Sequence, residues 1–563
     1  MSRSRRSRSE SKKAGASPSA AVNRADQKLA LSPTVQKYLA VFFIAATLVG
    51  LYLGLNLAFN YPLTSDSANA GLFPMEVAEH GSFEYVFPAN NPYFFTDYVF
   101  HLIIQPLTGY SPVALILTGY AMYVLIVLGC AAVALRLAGR IEALAAAALV
   151  ANLPFMGLRY VLYPLYHNGT ILFILLSILV FYADRPPFRL DFKWRVLIIG
   201  VLQLLGVFSD TLMLPVFTLP LIAYAGYRLW TQWQAAKVEK GSVAADGGKD
   251  APGSKSADRS RDIGGVKGAS VGKGADGGEV TEGSPLLLIA STVPALIVFA
   301  AKSRIGQLWP GGPILAPSGA ELGLSGLLQH PEMIGEFAGG LVRNGGGIVV
   351  AIGLLVVVLL VFLERKDRFL QAMLVMGGVF MLLGFMSMAM EGDPARYLTF
   401  TVILALVVAA TGTMRRGVSY IPLIAVIAIV LVNAGSNVLL LNQPHPDYLK
   451  LQQGFVDFLA SNNVTHAYSD YWSANIYTYM SGGSIVIEPV YVQDDRLMFH
   501  TMNSAPRWAS VWPDGNDSEP VLVTLMGDSL YQWAQKINGT HPPVTTYQVS
   551  NGIIYIYNGS LPA

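Results

Sequence analysis

The chain has 563 residues, of which 53% are apolar and only 13% charged, and its mean hydropathy is +0.46. Soluble globular proteins carry about 25% charged residues, so this chain cannot cover a water-facing surface of its size; its apolar content excludes disorder, its non-periodic Gly and Pro exclude collagen, and a membrane protein remains. With 38 basic against 36 acidic side chains there is no overall field to select nucleic acid, and the single cysteine, Cys130, excludes internal disulfides, CxxC redox chemistry and cysteine-rich zinc sites.

Residues 1–35 are polar and basic and lack the apolar content to fold, so they read as a disordered cytoplasmic tail. The apolar run 36–59 is long enough to cross a bilayer. Its basic leader is long, and Asn60-Tyr61-Pro62 follows in place of a small-residue cleavage pattern, so it reads as a signal anchor. Further runs fall at 112–135, 141–158, 167–183, 194–209, 212–230, 285–302, 346–363, 369–390, 397–414 and 418–440, which makes eleven spans. Arg136 and Arg140, then Arg185, Arg189, Lys193 and Arg195, then Arg365, Lys366 and Arg368, then Arg415 and Arg416 occupy short loops. With eleven spans and a cytoplasmic N-terminus, every one of these loops falls inside, as the positive-inside rule requires. Lys302, Arg304 and Arg343 fall outside as exceptions.

The organisation that follows has a membrane domain over 36–235, carrying an outer loop at 60–111, and a second membrane half over 284–440. Between them, 236–283 is rich in Gly, Ser, Asp and Lys and reads as a disordered cytoplasmic linker. Residues 441–563 alternate helix-like and strand-like runs: helices near Leu449–Leu459, Trp472–Met480 and Ser529–Ile537, and strands near Val464–Tyr468, Ser484–Glu488, Val521–Leu525 and Ile553–Tyr557. The predicted fold class is a polytopic α-helical membrane protein with a C-terminal extracytoplasmic α/β domain. Five N-x-S/T sequons, at Asn168, Asn463, Asn516, Asn538 and Asn558, fall on the predicted outer side.

Polar residues collect in the outer loops. Asp66 follows the outer end of the first span, where a carboxylate is dehydrated enough to be basic yet reachable by a hydroxyl. Its alternative role is the N-cap of a helix beginning near Ala68. Asp97, after Thr96, has the same two readings before the stretch Tyr98–Ile104. Glu76 and Glu79 share a helix face, solvated in the simpler reading, and His80 suits a helix C-terminus. Arg159 beside Tyr160, and Arg396 beside Tyr397, offer guanidinium groups for a phosphate; the alternative is snorkelling to the interface. His167-Asn168 and Ser209-Asp210-Thr211 either line a polar cavity or serve helix turns. Tyr471 and Trp472 either stack on a sugar or belong to an aromatic core. Neither a phosphate loop nor a His-Glu-x-x-His motif occurs.

The stretches Ser65-Asp66-Ser67-Ala68, Asn91-Pro92-Tyr93-Phe94-Phe95-Thr96-Asp97, Ala395-Arg396-Tyr397-Leu398 and Tyr468-Ser469-Asp470-Tyr471-Trp472-Ser473 lie on this span pattern. Together they resemble the GT-C superfamily of integral-membrane glycosyltransferases, nearest the protein-mannosyltransferase and aminoarabinose-transferase type of the family 39-like group. The resemblance implies a polyprenyl-phosphate-linked sugar donor and an inverting transfer on the non-cytoplasmic face of the cell membrane. The acceptor that the resemblance implies is a glycan, lipid or protein. It implies Asp66 as general base; where mannosyltransferases often carry Asp-Glu, this chain has Asp66-Ser67. It leaves a divalent metal open, since several members bind one near that loop. Two other classes stand beside it: a transporter or flippase of lipid-linked sugars, which calls for mid-span charges and repeated halves, and a non-catalytic membrane subunit.

Overall fold

Ser-Pro pairs start long apolar helices at Pro33, Pro112 and Pro285. The computed structural model describes residues 31–246 apart from 82, 84, 89–91, 166 and 185–188, then 284–305, 314–316, 355–356, 358–359, 367–388, 395–412, 420–500, 521–525, 529–549 and 552–557. Helix α1 (Pro33–Phe59) has Ser32 as its cap, accepting from the Val35 N–H, and proline in its first turn. The first loop carries α2 (Ser65–His80), β1 (Val86–Pro88) and a π-turn at Phe94–Tyr98 that runs into α3 (Val99–Thr108). Then come α4 (Pro112–Leu137), capped by Ser111, α5 (Arg140–Ala151), α6 (Phe155–Leu162), α7 (Asn168–Phe181), α8 (Phe192–Ser209) and, after a π-turn at Leu214–Thr218, α9 (Leu219–Asp246). The second half contributes α10 (Pro285–Ile305), β2 (Ile314–Ala316), α11 (Arg368–Met388), α12 (Ala395–Gly412) and α13 (Ile421–Leu441).

Five of these, α1, α4, α8, α10 and α13, are long and apolar enough to cross a membrane, and shorter apolar stretches lie in α7, α11 and α12. The expected span 141–158 is instead two helices: α5 stops at Ala151, and Pro154 separates it from α6. The expected span 346–363 falls largely outside the described residues, and 236–246 of the expected linker is the end of α9. Small residues bring the helices together. At Gly50 of α1 an added Cβ would lie 2.3 Å from the Ala151 carbonyl oxygen, so only glycine lets α1 and α5 meet there.

Loop ends sort to the two ends of the bundle. At one end Arg136 donates to the Tyr182 carbonyl (2.9 Å), Arg195 to the Phe181 carbonyl (3.0 Å), and the Tyr182 hydroxyl to Asp367 (2.8 Å). At the other, Lys302 donates to the Val207 carbonyl (3.2 Å) and Asn437 to the Leu153 carbonyl (3.1 Å). The C-terminal region sits at this second end, where Gln452 donates to the Leu63 carbonyl (3.1 Å).

That region is built from α14 (Tyr448–Ser461), β3 (His466–Ser469), α15 (Tyr471–Met480), β4 (Val486–Gln493), β5 (Arg496–Phe499), β6 (Val521–Leu525), α16 (Ser529–Ile537), β7 (Thr545–Val549) and β8 (Gly552–Ile556). Six strands pair in the order β5-β4-β3-β6-β8-β7. Strand β3 is parallel to both β4 (Tyr468 opposite Glu488) and β6 (Tyr468 opposite Leu522), and the outer pairs are antiparallel. The chain leaves β3 through α15 to one side and returns to the other side for β6. The carboxyl end of β3 is therefore a topological switch point, where open α/β sheets bind ligands. Helix α16 buries Leu530, Trp533, Ala534 and Ile537 on one sheet face with Leu522 and Tyr555. Helix α15 covers the other face and packs against α2 of the first loop.

Candidate active site at the seam of membrane and sheet domain

Helix α2 is started by Thr64, whose Oγ1 accepts from the Ser67 N–H (3.2 Å). Asp66 is therefore not the cap. It lies in the first turn, where the helix dipole favours a carboxylate. Half-buried, it turns its side chain toward the sheet domain: Tyr471 Oη donates to Asp66 Oδ1 (2.7 Å). Asp66 Oδ2 carries no hydrogen bond among the described residues. Tyr471 is the first residue of α15, directly beyond the switch point, and Asp470 caps that helix by accepting from the Trp472 N–H (2.8 Å).

A buried amide network fixes this seam. Asn69 donates to Tyr471 Oη (3.2 Å), and its Oδ1 accepts from Asn475 (2.7 Å) and Tyr85 Oη (3.3 Å). Ser65 Oγ donates to the Tyr471 carbonyl. Tyr479 Oη donates to the Ser111 carbonyl (3.1 Å), and its ring lies so near Gly71 that a Cβ there would come within 2.3 Å of it. Asp66 is thus held on a rigid element by rigid partners, as a catalytic group requires. Its partners come from more than 400 positions along the chain (a separation of 405 for Tyr471), which no local pattern could reveal.

A second cluster lies one helix away. Asp97 is not the cap of α3, which begins without a side-chain cap; it is fully buried inside the π-turn. Thr96 Oγ1 donates to its Oδ2 (2.7 Å) and the Gly169 N–H to its Oδ1 (3.2 Å). Burial pushes the carboxyl up to about 6, against the pull of those two donors and with a further push from Asp210. His167, buried and left-handed in backbone (φ 67°), pairs through Nδ1 with Asp210 Oδ2 (2.6 Å), which also accepts from Thr170 Oγ1 (2.6 Å). Burial would raise the Asp210 carboxyl, yet His167, Thr170 and the Leu212 N–H together hold it below its usual value. The Tyr93 hydroxyl lies 3.5 Å from His167 Nε2, and the Phe95 N–H donates to Ser209 Oγ (2.8 Å). The cluster staples the first loop to α7 and α8. It also borders the seam, since Asp66 and Asp97 both act on the buried Tyr98 phenol.

The remaining candidates divide. Glu76 is 3% exposed and acts on the Tyr85 phenol, so the solvated-face reading fails for it and holds for Glu79. His80 occupies the last turn before Gly81, 3.7 Å from Glu79, as a helix-end histidine. Arg159, on α6, lies 4.9 Å over the Tyr160 ring and acts on the phenol of Tyr61, which stacks on Phe155 (4.8 Å). That places it near Tyr61, two positions past the end of α1 and five before Asp66. Arg396 and Tyr397 fall in the first turn of α12, which packs against α6; their side chains lie outside the described residues. Trp472 is 58% exposed, so it is no part of an aromatic core. Asn168 is buried and donates to the carbonyls of Val161 and Tyr163, which removes that sequon as a glycosylation site in the folded chain. Among the described residues no group of three or more His, Cys, Asp or Glu side chains could hold a metal ion.

No family model and no curated protein matches the sequence. The chain is similar to the crystal structures of ArnT from Cupriavidus metallidurans in the apo state and bound to undecaprenyl phosphate. The TM-score is 0.47 and the identity 11% in both cases, over 92% of this chain and 97% of that chain. At this identity no residue of this chain takes its role from the likeness.

Proposed function

We propose that the chain is a membrane glycosyltransferase that moves a sugar from a polyprenyl-phosphate-linked donor to an acceptor hydroxyl on the extracytoplasmic face, with inversion. The observation that carries this reading is Asp66: a half-buried carboxylate at the seam between the first span and the sheet domain, one oxygen held by Tyr471 and the other without a hydrogen bond among the described residues. A general base for a hydroxyl needs that combination of restricted solvation, fixed direction and access. In the reaction Asp66 takes the acceptor proton as the acceptor oxygen bonds to the anomeric carbon. The bond from that carbon to the phosphate oxygen breaks on the opposite side, and the electron pair leaves with the polyprenyl phosphate. An arginine stabilises the departing charge. Arg396, the first choice by its motif and on α12, and Arg159, on α6 near the end of α1, are the residues we assign to it. The donor's chain would lie against the apolar helix surfaces, and positioning supplies much of the rate because a phosphate is already a fair leaving group.

The test is transfer by the purified protein in nanodiscs from a panel of radiolabelled polyprenyl-phosphate sugars. Asp66→Asn keeps an acceptor oxygen for Tyr471, so the seam stays closed, and turnover should fall by at least about a hundredfold. Transfer at the wild-type rate by that variant would reduce Asp66 to a structural residue.

A further inference from the structure

Among the described residues of the sheet domain, exposed large apolar side chains are few, and three of them share one patch beside Asp66. Trp472 is 58% exposed, Tyr491 40% and Met498 43%. Tyr491 and Met498 are register partners on β4 and β5, so they stand on one face of the hairpin. His500 follows β5 and is pinned by its N–H to the Pro489 carbonyl (2.8 Å). Its ring lies 4.6 Å from that of Tyr471 at a 37° tilt, and 6.3 Å from that of Tyr491. The Trp472 ring meets Tyr471 edge-on at 5.2 Å. The patch thus grows outward from Tyr471, the residue whose hydroxyl holds Asp66, at the switch point of the sheet.

We propose that Tyr471, Trp472, Tyr491 and His500 form a carbohydrate-binding platform that presents a sugar hydroxyl to Asp66. As a sugar-binding surface it stands by itself; as the acceptor site it rests on the glycosyl-transfer reading. Two neighbouring demands select the ligand. The aromatic faces ask for an apolar surface, and Asp66, tied to them through Tyr471 and with its second oxygen unbonded among the described residues, asks for a hydroxyl donor. A sugar ring has both, with C–H groups on its face and hydroxyls around its rim. An acyl chain satisfies only the first, and a phosphate would be repelled by the carboxylate. Rigid aromatic side chains also lose little conformational freedom on binding, which suits a weakly held, multiply hydroxylated ligand.

The experiment is ligand-observed magnetic-resonance titration of the full chain in nanodiscs with soluble oligosaccharides built from hexopyranoses and from pentofuranoses. At least one should bind in the millimolar range or tighter. Trp472→Ala should weaken it about tenfold, as loss of an aromatic face does, while Trp472→Phe retains most of the affinity. Asp66→Asn should leave the ring-proton contacts in place while abolishing transfer. Three results would overturn the platform: no saccharide of the panel binding the wild type, equal binding by Trp472→Ala, or a brominated-lipid quench of the protein's fluorescence that Trp472→Phe diminishes, which makes Trp472 a bilayer-interface residue. Binding that depends on Trp472 with no transfer from any polyprenyl-phosphate sugar would keep the sugar surface and remove the glycosyl-transfer reading alone.

Discussion

A carboxylate sealed from water is harder to ionise than one in water, and Asp97 is sealed on all sides. Its folded value near 6 stands above the 3.8 of the unconstrained group, so between those values the folded state holds more protons than the unfolded state. The folded state is therefore penalised as pH rises from about 4 to about 6, with no penalty below and a constant one above. Asp97→Asn removes that term and keeps one acceptor oxygen for the Gly169 N–H, while the Thr96 hydroxyl can turn to accept from the new amide. The melting temperature of Asp97→Asn minus that of the wild type should rise across this interval and be flat above it. A difference that does not change with pH would mean that Asp97 ionises at its ordinary value. At this scale the sequence was legible in kind but not in company. Asp66, Asp97 and His167 stand out as polar residues beside apolar runs, yet Tyr471, Gly169 and Asp210, which decide what those side chains do, arrive from 405, 72 and 43 positions away. Glu76 shows the reverse limit: its spacing from Glu79 suggests a wet face, and only the tertiary packing of the first loop buries it.

Elements whose pattern is local were readable. The helix beginning near Trp472 and the strand at Val521–Leu525 match α15 and β6 within a residue, because period and cap residues lie inside the segment itself. The π-turn Phe94–Tyr98 was not readable as such. Its backbone is set by Ser209 and Gly169 from two other helices. The break in the expected span 141–158 was in principle signalled by Pro154, but an apolar run outweighed one proline. The first turn of α7 meets the π-turn so closely that a Cβ on Gly169 would lie 1.8 Å from the Thr96 carbonyl oxygen. No rotation relieves a backbone contact of that kind, so Gly169→Ala should destabilise the protein by about 3 kcal/mol, at the upper end of overpacking effects. Gly226→Ala, in α9 with nothing within 4 Å of the new methyl, is the matched control and should be neutral or stabilising. Thermal unfolding of the two variants in one detergent checks the pair. Equal stability would mean that the α7 contact yields without cost.

Across the whole molecule, charge and aromatic residues distinguish the two ends of the bundle. Arg136, Arg195 and Arg368 lie at the end away from the sheet domain. Trp194, Trp230 and Trp233 are all more than half exposed, as interface tryptophans are, and Lys237 sits 5.3 Å from the Trp233 ring. Helix α9 has 28 residues, about 42 Å at 1.5 Å per residue, longer than a bilayer core of about 30 Å. It starts nine residues after Asp210, near the sheet-domain end, and passes Arg368 at Tyr227, so its last turns carry the chain past the basic end of the bundle. The basic end should face the cytoplasm. The N-terminus and the segment 236–283 then lie inside, and the sheet domain, with Asp66 at its seam, lies outside. The chain's one cysteine, Cys130, is buried, so single cysteines placed elsewhere report cleanly. Ser260→Cys should be shielded from a membrane-impermeant maleimide in intact cells and react once the membrane is opened. Val544→Cys, at a side chain 60% exposed in the sheet domain, should react in intact cells. The opposite pattern would turn the molecule over. Asp66 would then face the cytoplasm, and a transfer on the extracytoplasmic face would be ruled out whatever the chemistry of the seam.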